Sequence, residues 1–241
     1  MKASFRNFAG RGLVLVLIFF LNPTGFAQNN VVKLGVSGAN YGDFSLSYER
    51  MMTNHSSLNI TGGYWNLNAS LFNFSGILAP TDGITLKQFN EGFHASVDYR
   101  FYVGKKEAPR GMYIGPYIRY WQYSLLALDE IEGDLFDVDT RIGSIGAGFQ
   151  MGYHWLIRDC ISIDWFFIGL GVESISSRFV YITQTPGFDY STIVDDFVNV
   201  FEGFDYFQNK IKTTSGPENM TANLPFLFPG IKTGITIGYS F

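Results

Sequence analysis

The chain has 241 residues, 17 % of them aromatic and 27 of them glycine, and its 17 Lys and Arg are outnumbered by 21 Asp and Glu. That acidic balance argues against nucleic acid as a partner, since phosphate binding needs a basic face. One cysteine, Cys160, excludes an internal disulfide framework and a thiolate zinc cluster.

Lys2, Arg6 and Arg11 precede an unbroken apolar run at residues 13–21, and Pro23-Thr24-Gly25-Phe26-Ala27 puts small residues before Gln28. This is the pattern of a cleaved secretory signal peptide, with a core too short for a spanning helix. Residues 1–27 are therefore expected to be a signal, and residues 28–241 one domain carrying 14 basic and 21 acidic side chains, a net of −7. No later stretch is apolar for long enough to span a membrane as a helix.

From residue 31 a period of two dominates, and it predicts eight strands. Residues 31–39 set Val32, Leu34 and Val36 against Lys33, Gly35 and Ser37. Residues 43–51 set Phe44, Leu46 and Tyr48 against Ser45, Ser47 and Glu49, and residues 57–68 set Leu58, Ile60 and Tyr64 against Asn59, Thr61 and Trp65. Residues 93–103 alternate Phe93, Ala95, Val97, Tyr99, Phe101 and Val103 with His94, Ser96, Asp98, Arg100 and Tyr102. Residues 111–123 repeat the pattern around Pro116, which cannot donate to a ladder. Residues 141–156 set Ile145, Ala147, Phe149, Met151 and Tyr153 against Ser144, Gly146, Gly148, Gln150 and His154. Residues 161–174 lose phase at Phe166-Phe167-Ile168, which suggests a bulge. Residues 230–241 end with Ile235, Ile237, Tyr239 and Phe241 on one face and Lys232 on the other.

If the first strand starts in the periplasm, residues 52–56, 104–110 and 157–160 become short periplasmic turns. The outer connections are then 40–42, 69–92, 124–140 and 175–229. Residues 129–139 are read as an acidic loop holding Asp129, Glu130, Glu132, Asp134, Asp137 and Asp139. Within the last connection, Ile193, Val194, Phe197, Val198, Phe201, Phe204, Phe207 and Ile211 recur at three- and four-residue steps. They predict an amphipathic helix over 192–212, with Thr192 and Asp195 at capping-box spacing and packing on its own barrel.

Alternation alone fits a soluble, lipocalin-like barrel as well as a membrane one. Three features favour lipid outside. The polar face is crowded with Gly, Ser and charges of both signs, which suits a narrow interior. The apolar face carries aromatics toward strand ends (Tyr48, Phe93, Trp155, Tyr239), as interfacial girdles do. Phe241 lies in phase with that face.

Gly234-Ile235-Thr236-Ile237-Gly238-Tyr239-Ser240-Phe241 resembles the C-terminal signal of bacterial outer-membrane proteins. The chain from residue 28 is similar to the eight-stranded OmpA/OmpX-like barrels, small relatives in architecture of the porins. More narrowly, Tyr99-Arg100-Phe101-Tyr102, Tyr113-Ile114-Gly115-Pro116-Tyr117 and Leu224-Pro225-Phe226-Leu227-Phe228-Pro229-Gly230 resemble uncharacterised outer-membrane barrels of Bacteroidetes-type bacteria. The resemblance implies an all-β, eight-stranded antiparallel transmembrane β-barrel in the bacterial outer membrane. It also implies lipid as surroundings, a monomer, and the barrel-assembly machinery reading Ile235, Ile237, Tyr239 and Phe241 during biogenesis. It carries no catalytic residue across.

Candidate chemistry begins with the inward charges Lys33, Glu49, His94, Asp98, Arg100, Arg119, His154, Asp164 and Lys232. Eight strands leave room for side chains but not for an aqueous channel, so these are expected to form a polar network that fills the barrel. His94 and Ser96 match the His-x-Ser of lipid A deacylase barrels, but on the inward face no lipid ester reaches them. The acidic stretch lacks the glycine turn and terminal Glu of a calcium loop. The expectation is a non-enzymatic barrel with a structural or surface-interaction role, without metal or cofactor. The alternative is a lipid- or small-ligand-handling barrel, as a lipid-modifying enzyme or transport accessory.

Overall fold

The computed structural model describes residues 29–39, 42–66, 85–131, 134–183, 185, 188–199, 206, 209–216 and 218–241. Side chains are not described at 85–90, 128–131, 192, 196 and 199. The signal-peptide segment 1–27 lies outside the described residues.

Among the described residues, nine strands make one antiparallel sheet, and eight of them close into a ring. They are β1 (Asn30–Gly35), β2 (Asp43–Thr53), β3 (Ser56–Asn66), β4 (Thr85–Val103), β5 (Gly111–Ile131), β6 (Asp134–Ile157), β7 (Ile161–Thr183), β8 (Lys212–Ser215) and β9 (Met220–Ser240). Consecutive strands pair in order, β9 pairs β7 and closes on β1, and β8 adds to the far end of β9. The row of partners leaving β9 at Ile237 runs through Leu34, Leu46, Gly62, Ala95, Tyr120, Ile145 and Ser174. It returns to β9 at Leu227, a stagger of ten residues. Strand number and stagger together set the width, and an eight-stranded ring is one that side chains fill.

Every predicted strand is present; the first ends at Gly35 rather than 39, and several others run longer than their period suggested. The connection at 124–140, with its acidic loop at 129–139, is corrected: β5 and β6 continue as a hairpin, paired from Ser124 with Arg141 out to Ile131 with Asp134. The last connection shrinks likewise, because β7 reaches Thr183 and β9 starts at Met220. β4 starts at Thr85, inside the stretch read as a connection. The bulge lies where the phase blurred: Phe166 and Ile168 face Gly152 and Met151, leaving Phe167 without a partner on β6. At Pro116 the β4–β5 partners jump from Asp98–Tyr117 to Phe101–Ile114, consistent with its missing N–H. Arg158 and Asp159 both take positive φ (49° and 61°), and Cys160 N–H donates to the Ile157 carbonyl at 3.2 Å. This is the two-residue turn that matches strand twist.

The helix, α1 (Ser191–Asn199), starts one residue before the expected position. Its first amide donates to Asp189 Oδ1 at 3.0 Å, so Asp189 initiates it rather than the Thr192–Asp195 box. That amide holds the Asp189 carboxyl below its ordinary range. The expected C-terminal end at 212 is also corrected, since Asn209 and Lys210 lie in a turn and Lys212 opens β8. Phe201, Phe204 and Phe207 fall outside the described residues.

Inside and outside are inverted relative to a soluble barrel. Leu34, Phe44, Ile60, Phe93, Val97, Phe101, Ile118, Ile145, Phe149, Leu170 and Ile231 all point out and are exposed; Phe149 is 65 % exposed and Ile231 69 %. Lys33, Glu49, Asp98, Arg100, His154 and Asp164 point in, none more than 2 % exposed. Beyond the row through Tyr123, Ile142 and Ser177, strands β5–β7 and β9 rise past the ends of β1–β3. There the inward positions turn apolar: Ala127, Phe136, Val138, Met220 and Ala222 are buried with Tyr190 and Ile193, and Phe179, Tyr181, Val194 and Phe197 pack on them. The helix thus covers the inner face of the extension, as its apolar stripe required.

Candidate functional site

All nine predicted inward charges face the barrel lumen, and seven of them meet in one network. Lys33 Nζ lies 2.6 Å from Glu49 Oε2 and 2.7 Å from Asp164 Oδ2. The Arg100 guanidinium reaches Asp164 at 2.7 Å, Glu49 at 3.0 Å and Asp98 at 3.0 Å. Lys232 Nζ lies 2.7 Å from Asp98 Oδ1. Lys33, Arg100 and Lys232 therefore balance Glu49, Asp98 and Asp164. His154 joins through Tyr102 Oη at 3.1 Å and Ser162 Oγ at 2.6 Å.

The remaining valences are filled by residues that the search for charges passed over. Tyr102 donates to Glu49 at 2.7 Å, Tyr113 to Asp164 at 2.8 Å and Asn59 to Asp98 at 2.7 Å. Tyr102 and Asn59 were already on the polar face of the alternation, and phase alone identified them as inward. Glycine on that face has a local cause. A Cβ at Gly152 would collide with the Tyr113 hydroxyl, and one at Gly63 with the His94 ring. Glycine lets large side chains lie across the neighbouring strand.

Such a cluster stands only because it is complete. Charges taken out of water cost several kcal/mol each unless paired and hydrogen-bonded. Glu49, His154 and Asp164 also bring possible ligand atoms within 4.8 Å of one another. Lys33 and Arg100 already occupy both carboxylates, so a metal would have to displace two cations.

His94 and Arg119 stand apart from the network. His94 Nε2 lies 2.9 Å from Asp43 Oδ1. Arg119 pairs with Glu173 and donates to the Ile231 carbonyl at 3.0 Å. Glu173 escaped the sequence reading because the bulge at Phe167 reverses the phase of β7; carrying the phase through it turns Glu173 inward. Asp43 shares the parity of Ser45 and Ser47 and was legible by the same rule. Ser96 lies inside, 7 % exposed, and His94 is hydrogen-bonded to Asp43, so the His-x-Ser pair faces the lumen and not the outer surface. Ile235, Ile237, Tyr239 and Phe241 all point outward, and Phe241 exchanges two backbone hydrogen bonds with Asn30.

Above the network the lumen widens into a cavity of about 640 Å³. Lys33, Asn59, Lys232 and Thr236 line it together with Asp43, His94, Trp65, Trp121, Arg119 and Glu173. Trp121 Nε1 donates to Glu173 Oε2 at 3.1 Å, and the Trp65 ring lies 6.2 Å from that of Trp121 and 5.3 Å from that of His94.

The arrangement defines a class: a closed eight-stranded barrel, apolar outside and ionic within. The chain belongs to the family described as "protein of unknown function (DUF3575)", whose model matches residues 13–189. No curated protein matches it. Among solved structures it is similar to a major outer membrane protein from Thermus thermophilus, at 14 % identity over 90 % of this chain and 100 % of that one, with a TM-score of 0.38.

Proposed function

We propose that the chain is an outer-membrane β-barrel, plugged and non-conducting, that presents the β5–β7 and β9 extension with α1 to the aqueous exterior. The observation that carries this is the inversion: a continuous apolar outer band around a buried ionic lumen. Water on that band would leave Ile118, Ile145, Phe149, Leu170 and Ile231 exposed in one belt, which far exceeds what soluble monomers tolerate. Lipid removes the cost, and the strands from β2 to β7 and β9, at 11 to 24 residues, have the length that spanning needs.

In this reading residues 1–27 are cleaved on export, and the outward Ile235, Ile237, Tyr239 and Phe241 guide assembly by the barrel machinery. The short turns face the periplasm. The chain is a monomer of OmpA/OmpX-like build from a Bacteroidetes-type source, and its role is structural or surface-directed rather than enzymatic. The network of Lys33, Glu49, Asp98, Arg100 and Asp164 crosses the lumen and blocks ions.

Fractionation tests the placement. The protein should stay in outer membranes after a urea wash and migrate faster on gels before boiling than after. Release into the soluble fraction overturns the reading. In planar bilayers the purified barrel should show no discrete conductance steps; steps that change on substituting Arg100 overturn the plug.

A further inference from the structure

The cavity above the ionic plug is built for a ligand, and its chemistry is narrow. Two observations point to an occupant. Asn59 uses its Nδ2 on Asp98 (2.7 Å) and Thr61 (3.2 Å), which leaves its Oδ1 without a partner, although the residue is only 2 % exposed. Thr236 Oγ1 is likewise unpartnered at 6 % exposure. Both side chains line the cavity. Buried polar atoms nearly always find a partner, water or ligand, so these two side chains mark a polar part of the cavity wall.

Charge then limits the occupant. Each charged side chain on the wall is already matched: Lys33 and Arg100 with Asp164, Lys232 with Asp98, Arg119 with Glu173, and His94 with Asp43. An anion or cation entering would have to break one of these pairs. A neutral polar molecule would hydrogen-bond along the wall and leave these pairs intact. Trp65 and Trp121 add partly exposed indoles at the upper level, held in place by the Glu173 hydrogen bond and the His94 contact. Flat apolar surfaces beside fixed planar polar groups suit a ring with C–H bonds on its faces and hydroxyls at its edge. The volume of about 640 Å³ sits within the range of small-molecule sites.

We infer that the cavity between Trp65, Trp121, Asn59 and Thr236 binds a neutral sugar, from one ring to a short oligosaccharide. The inference stands on the cavity and not on the membrane placement, so either can fail alone. The plug beneath makes this a site of capture and not of passage.

The test uses the full barrel, folded in a detergent without a sugar head group. Its tryptophan fluorescence is titrated with glucose, galactose, N-acetylglucosamine, maltotriose and N,N′-diacetylchitobiose, and with glucose 6-phosphate as the charged counterpart. At least one neutral sugar should give a saturable change, weakened about tenfold in Thr236→Val, the scale of one lost hydrogen bond. Trp65→Ala should weaken it further, and Trp65→Phe should restore part of the loss. The heat-dependent gel shift verifies that each variant is folded. Flat titrations with all five neutral sugars overturn the inference, as does tighter binding of the phosphate, or binding that the Thr236 and Trp65 variants leave unchanged.

Discussion

Along β5, β6 and β7 the inward positions change character within one strand. In the barrel body they carry Tyr113, Gln150, His154 and Asp164; past the ends of β1–β3 they carry Ala127, Phe136, Val138 and Tyr181. The outward positions change the opposite way, from Ile118, Phe149 and Leu170 to Asp137, Asp139, Arg141 and Arg178. Backbone geometry and pairing are continuous across the boundary. In the proposed membrane reading, what differs is the solvent each half meets. There the body would sit in lipid, where polarity goes inward, and the extension, a layer of sheet under a helix, in water, where polarity goes outward. On that reading, the point at which a strand reverses its faces marks the edge of the membrane.

The contrast breaks most sharply at Arg100. Arg100→Ala leaves Glu49, Asp98 and Asp164 short of a cation, and breaking a buried pair costs about 3–5 kcal/mol. The urea midpoint of the barrel refolded in vesicles should fall accordingly, and an unchanged midpoint would mean that the network is not structural. In the extension, Phe136→Ala should cost about 3 kcal/mol, because Phe136 is fully buried against Phe188 and Tyr190. Its effect should stay local: limited proteolysis near α1 accelerates while the unboiled gel band persists. Loss of that band would join the two regions into one cooperative unit.

The outer face sharpens the comparison further. Phe149→Arg at the middle of the apolar band should destabilise by about 2–4 kcal/mol in a bilayer, while Ile182→Arg on the outer face of the extension should be close to neutral. Equal effects would remove the membrane edge from between them. The smallest expected change is at the turns, where Arg110→Ala breaks an exposed pair with Asp159 that is worth at most about 1 kcal/mol and is screened by salt. A shift in its midpoint that persists in high salt would show that the pair is more than a surface contact.

Much of the body was legible because its two faces differ in chemistry at every step. Lys33, Glu49, Asp98 and Asp164 could be assigned to the inside from parity, and the blur at Phe166–Ile168 located the bulge. The extension was misread for a physical reason. Asp137 and Asp139 are acidic because they face water on a strand, and the alternating Phe136 and Val138 were hidden by a charge pattern that resembles a loop. Glu173 was lost because one extra residue inverts everything after it.

Periodicity, the inward charges and the outward aromatics follow from residues a few positions apart, and local sequence determined them. The pairings are different. Lys33 meets Asp164 across 131 positions, and Lys232 meets Asp98 across 134. Those contacts depend on ring closure and on the ten-residue stagger between Ile237 and Leu227. Only the closed barrel decides which charge faces which, because the register of each strand is set by its neighbours. The same closure shapes the cavity, which leaves Asn59 and Thr236 facing a space that no stretch of sequence contains.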